Sequence, residues 1–166
     1  MPLRHVILLS FALLLSACAG SVEPFAPTAE RTGGANQILV DVDAEPTEAY
    51  GAVVRLLAEQ GYTLAASNET ARVVSTEPKQ FMGQHAMRVT ALVSENEAGG
   101  STITMRGSMK SGFNVGQALL GAAAAEDPEG AIEDIGQGGS PMKRGFNALD
   151  ELARSLSGGS VRYARI

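Results

Sequence analysis

Between Gln37 and Lys110 the chain alternates apolar and polar residues in separate runs, and this two-residue period constrains the fold more than any other feature. Ile38, Val40 and Val42 alternate with Leu39, Asp41 and Asp43, the pattern of a strand buried on one face. Met87, Val89, Ala91 and Val93 share one face of a run from His85 to Ser94. Ile103, Met105 and Met109 do the same between Ser101 and Lys110, with Thr102, Thr104, Arg106 and Lys110 opposite. The polar, glycine-ended stretch from Glu95 to Gly100 joins these two runs, which predicts a hairpin. Tyr62–Ser67 and Arg72–Thr76 read as two further strands around an Asn68-Glu69-Thr70 turn.

Two segments follow a helical period instead. Pro46 suits a first helical turn, and Tyr50, Val53, Val54 and Leu57 form one apolar stripe that Gly61 closes, so a helix is expected over about 46–60. Met142, Phe146, Leu149, Leu152 (or Ala153) and Leu156 mark a last helix over about 141–157, ended by Gly158-Gly159. Val161–Ile166 is either a short edge strand or a loose tail. The expected order is β-α-β-β-β-β-α. That order describes an α+β two-layer sandwich, with an antiparallel sheet of four to five strands and both helices on one face. A hydrophobic content of 45% can supply its core.

Three segments stand outside the pattern. Val6–Leu15 is almost continuously apolar behind Arg4 and His5, too short to span a bilayer but of the length of a signal-peptide core. It ends in Leu15-Ser16-Ala17-Cys18. Residues 19–36 hold Pro24, Pro27, Gly20, Gly33 and Gly34 without a period and read as a flexible tether, spanning roughly 23 Å as a random coil. Phe25 is its one large apolar residue. Residues 111–141 are rich in glycine and acids and carry no Lys or Arg, which reads as a long loop, with Val115–Ala125 as a short apolar helix inside it. The expected organisation is a signal over 1–17, an anchored tether over 18–36 and one domain over 37–166.

Leu15-Ser16-Ala17-Cys18 resembles the lipobox of bacterial lipoproteins. The resemblance covers residues 1–18. It implies a diacylglyceryl group on the Cys18 sulfur, cleavage before Cys18 and acylation of the new amino group. The alternative is an ordinary secretory signal cut nearby. Two lipid chains suffice for stable anchoring. Ala19, where an Asp would favour inner-membrane retention in the enteric members, implies delivery to the outer membrane, facing the periplasm. The element order also resembles the small domains of the C lipoprotein of the outer-membrane barrel-assembly machinery. Ile38-Leu39-Val40-Asp41-Val42, the Tyr50–Leu57 stripe and Gly61-Tyr62 carry that resemblance, which implies the fold class and no functional residues.

The formal net charge of −5 argues against nucleic-acid binding, and a single Cys excludes an intramolecular disulfide and a clustered Cys/His zinc site. His85 is the one histidine beyond the signal, and no Gly-x-Ser-x-Gly surrounds a serine, so no catalytic residue is assigned. Glu126-Asp127-Pro128-Glu129 with Glu133-Asp134 lacks the spacing of a calcium loop, and Gly112, Gly116 and Gly121 lack that of a phosphate loop. No metal or cofactor is expected. Arg72, Arg88, Arg106 and Lys110 are expected opposite the inward set, as a solvated face or an anion-binding one.

Three functions compete. The first is a non-enzymatic, lipid-anchored adaptor or scaffold for an envelope protein complex, of open oligomeric state. The second is a binding module for a small molecule or lipid between sheet and helices, with Met82, Met87, Met105 and Met109 as adaptable lining. The third, and least favoured, is an envelope hydrolase using Asp41 or Asp43 beside another carboxylate.

Overall fold

The computed structural model describes residues 25–111, 129–156 and 158–166. Its elements are β1 (Phe25–Thr28), β2 (Gln37–Val42), α1 (Pro46–Glu59), β3 (Leu64–Asn68), β4 (Val73–Thr76), β5 (Lys79–Phe81), β6 (His85–Glu95), β7 (Ser101–Ser111), β8 (Gly130–Ala131), α2 (Pro141–Ser155) and β9 (Ser160–Arg165). The strands form one antiparallel sheet in the order β1-β9-β2-β7-β6-β4-β3, with β5 added to β6 and β8 to β7.

The α+β class and the two helices are as the periodicity requires, but the sheet has nine strands rather than four to five. β1, β5 and β8 are two to four residues long and carry no alternation, because they form by pairing backbone with a longer neighbour. β9 is neither edge nor tail. It lies between β1 and β2, with Tyr163 opposite Ile38 and 1% exposed.

The long hairpin is the spine. β6 and β7 pair from His85–Ser111 to Glu95–Ser101. Asn96 shapes the turn, its Oδ1 accepting from Ala98 N at 3.0 Å and Gly100 N at 2.9 Å. β2 lies on β7 from Val42–Ser101 to Ile38–Met105, and β8 continues that edge at Ser108 and Met109.

Both helices cover one face. α1 begins at Pro46 and ends in a Schellman turn: Tyr62 N donates to Leu57 O and Gly61 N to Ala58 O, both at 2.9 Å. Gly61 sits at φ +74°, where a side chain would be strained. α2 is capped by Ser140, whose Oγ accepts from Lys143 N at 3.2 Å. Tyr50, Val53 and Leu57 of α1 and Phe146, Leu149 and Ala153 of α2 join Ile38, Val40, Met87, Val89, Ile103, Met105 and Tyr163 in one buried cluster. Full burial of each such large side chain contributes about 1.5–3 kcal/mol. Gly145 lets α2 lie close: a Cβ there would stand 2.7 Å from Met109 Cε and 3.2 Å from Ile132 Cδ1.

The expected tether over 18–36 is corrected from Phe25 onward. Phe25 pairs with Arg165 and Thr28 with Tyr163, so this arm is part of the sheet. Gly34 N donates to Asp134 O at 2.8 Å, Asp134 N to Ala35 O at 2.7 Å, and Asn36 N to Ala164 O at 3.0 Å. The second half of the expected 111–141 loop is likewise packed, with Ile132 fully buried against Gly107. The helix expected over Val115–Ala125 and the signal with Cys18 lie outside the described residues.

Candidate functional site

Three polar regions are built on this frame. In the first, the arm is riveted to the body. Arg31 donates from Nε to Asp134 Oδ2 at 2.8 Å and from Nη2 to Asp134 Oδ1 at 3.0 Å and Asn147 Oδ1 at 2.6 Å. Its guanidinium stacks 4.8 Å above the Phe146 ring. Lys143 adds a second cation on Asp134, whose side chain is only 3% exposed. Burial pushes the Asp134 carboxyl up, but hydrogen bonds and charge from Arg31 and Lys143 outweigh it, and its pKa lies below the ordinary value. Beside it, Tyr163 donates to Asp150 Oδ1 at 2.8 Å, and Arg154 Nη2 donates to Tyr163 Oη at 2.5 Å. Burial, then the Asp150 carboxylate, raise the Tyr163 pKa.

The second region is an open cleft of about 720 Å³ at the hairpin turn, lined by Asp41, Asp43, Glu95, Glu97, Thr102 and Arg162 among others. Asp41 and Asp43 share its lining with Glu95 and Glu97, but among the described residues no three acidic side chains cluster there. Asp41 is already engaged. Arg162 donates to both of its oxygens, at 2.8 and 2.9 Å, and Thr102 Oγ1 to Oδ1 at 2.6 Å. Partial burial raises its pKa, and these bonds bring it below the usual value. A general acid needs the opposite shift.

The third region is the sheet face that neither helix covers among the described residues. Arg88, Arg106 and Lys110 lie on it, as their strand positions require, and Arg162 joins them. Arg72 does not: it stands in the turn before β4 at φ +53°, off the strand. Arg88 Nη1 pairs with Glu129 Oε2 at 2.9 Å, and Ser108 also donates to Glu129. With the Gln37 side-chain amide turned so that its oxygen faces the guanidinium, Arg106 Nε and Nη2 donate to it at 3.0 and 2.7 Å. Much of the cationic face is therefore internally paired.

The remaining sequence candidates are dispersed. His85 opens β6 and lines an apolar cleft of about 310 Å³ with Met109, Ile135, Pro141 and Met142. Its Nδ1 is buried and finds no hydrogen-bond partner among the described residues. Met87, Met105 and Met109 are 0, 0 and 4% exposed, and Met82 sits in the β5–β6 turn at φ +51°. Of the acidic stretch, Glu129 pairs with Arg88, Glu133 with Arg165 at 3.6 Å, and Asp134 with Arg31 and Lys143. Each described acid thus already has a cation where a metal would need free oxygens. Among the described residues no three metal-ligating side chains cluster, and no helix is long and apolar enough to cross a membrane. The Arg31–Asp134 lock escapes sequence reading because its partners stand 103 residues apart, in segments without periodicity.

No protein-family model matches the chain, and no curated protein matches it.

Proposed function

We propose that this chain is a non-enzymatic lipoprotein of the bacterial envelope, anchored through lipid on Cys18 and serving as an adaptor for an envelope protein complex, at the outer membrane on its periplasmic side. The observation that carries the reading is Leu15-Ser16-Ala17-Cys18 closing an apolar run too short to span a bilayer. The arm gives it a geometry. With β1 beginning at Phe25, only residues 19–24 separate Cys18 from the sheet, so the domain starts within about 25 Å of its anchor. A domain held that close meets membrane-bound partners in two dimensions, which raises effective concentration.

Labelled palmitate supplied to cells tests the anchor. The wild type should incorporate it, Cys18→Ala should not, and the mature amino-terminal peptide should begin at Cys18 and carry acyl mass. An unlabelled wild type, or a different amino terminus, overturns the reading. The binding-module reading has less support. Met87, Ile103 and Met105, which would line a ligand between sheet and helices, are 0, 1 and 0% exposed within the core cluster.

A further inference from the structure

The strand registers give the molecule two ends. β7 runs from Ser101 at the hairpin turn to Ser111 at the open end of the hairpin, opposite His85, and β9 runs the same way, from Ser160 to Arg165. β1 opposes β9 with Phe25 against Arg165, so the residues before Phe25 leave toward the open end. Met82 in the β5–β6 turn, Ile135 beside His85 and Pro141, and Ile166 after β9 stand at that end too. They are 36, 45 and 65% exposed. Among the described residues the one other large apolar side chain left exposed is Leu92, on the sheet face.

Charge divides along the same axis. At the open end Glu129, Glu133 and Asp134 are each matched by a cation, while Lys110 and Arg144 pair with no carboxylate among the described residues. Glu59 and Glu77 lie on its α1 side, near Lys79, which donates to Gln60 O at 2.6 Å. At the turn end Asp43, Glu45, Glu95 and Glu97 are exposed and in no described salt bridge, against Arg72 and an Arg162 already held by Asp41.

We propose that the open end is a membrane-contacting surface, seated on anionic phospholipid headgroups with Ile135, Ile166 and Met82 entering the interface and Lys110 and Arg144 over the phosphates. The inference rests on the anchor reading, which puts Cys18 only six residues before Phe25. For the turn end to touch the bilayer, those six residues would have to run fully extended back along the molecule. Attraction of Lys and Arg to anionic lipid fades within a Debye length, about 8–10 Å, so the end held close decides the orientation, and the acidic end is repelled. Apolar side chains beside such cations are what an interfacial contact uses. This seating aims the cleft at the hairpin turn away from the bilayer, toward soluble partners.

Lipid quenching of tryptophan tests it. The chain has no Trp and one Cys, so each probe is unique. Every described element lies after Cys18, so the chain from Cys18 onward carries the fold. Coupled through Cys18 to a maleimide phospholipid, it is tethered whether or not cells acylate it, and failure of the anchor reading leaves this test intact. The vesicles are phosphatidylcholine with about one third phosphatidylglycerol and a brominated lipid as quencher. Ile135→Trp and Ile166→Trp should each be quenched at least about threefold more than Ala98→Trp at the hairpin turn. Equal or reversed quenching overturns the proposal. Lys110→Gln with Arg144→Gln should remove at least about half of that excess, and Glu97→Gln should not. A double variant that keeps the full excess also overturns it. If Ile135→Trp emits in the blue without vesicles, residues 112–128, which leave this end at Ser111 and return at Glu129, already cover it, and the proposal falls. The three probed positions are exposed, so the substitutions leave the fold in place.

Discussion

The two ends of the sheet hold their last strands by different physics. β1 and the arm behind it are fixed by buried charge: Arg31, Asp134 and Lys143 converge beneath them, with Asn147 and Phe146 supporting the guanidinium. β3 is fixed by its backbone ladder to β4 and a side-chain bond to the helix layer, Tyr50 Oη to Ser67 Oγ at 2.8 Å. Loss of the Asp134 carboxylate at the first end deprives two partly buried cations of their shared partner, whereas loss of the hydroxyl at the second exposes a group that water can satisfy. Irregular sequence is therefore no sign of a loosely held segment here.

The sharpest way to break this contrast is Asp134→Ala. It takes the shared carboxylate from Lys143 and from Arg31, which keeps Asn147 and, at 3.8 Å, Asp150, and should cost about 3 kcal/mol in urea unfolding. Hydrogen exchange should then show lost protection across 25–36 while β3 keeps its own. Uniform loss at both ends would mean that the lock serves the whole domain rather than the arm. Arg31→Ala should cost less, about 1.5–3 kcal/mol, because Lys143 still neutralises Asp134. Arg31→Lys should recover little of that, since an ammonium cannot make the paired contact.

Acid should reproduce part of the effect. The folded pKa of Asp134 lies below the ordinary value, so its stabilisation is fully present above the unfolded value of about 4 and fades as the pH falls through the lower folded one. Stability measured across that range should fall less steeply in Asp134→Asn than in the wild type. Asp41, shifted the same way, should keep some slope in the variant. The smallest effect belongs to the other end. Tyr50→Phe should cost about 0.5–1.5 kcal/mol, with faster exchange confined to β3 and β4.

What the sequence discloses follows the same division. The β6–β7 hairpin, β2 and both helices are legible because their buried residues repeat with a fixed period, from Ile38 and Val40 to Phe146 and Leu149. β3 is legible from its flanking turn although it buries little. β1, β8 and the seating of Ile132 are not, because a short strand borrows its geometry from the neighbour it pairs with, and Gly107 offers no side chain to signal the contact. Of the candidate site, the outward positions of Arg88, Arg106 and Lys110 could be read from strand parity. The pairing of Arg88 with Glu129 and the hydrogen bonding of Arg106 to the Gln37 amide could not, since they depend on where the 129–136 segment and the start of β2 come to rest.

The antiparallel seating of β1 on β9 has a mechanical consequence. A force drawn through the residues before Phe25 and directed along the strand loads the few β1–β9 bonds in shear, together rather than one by one, and reaches the Arg31 rivet only after they yield. A pull from that end should therefore spare the hydrophobic interior, with the arm serving as a fuse that tears first.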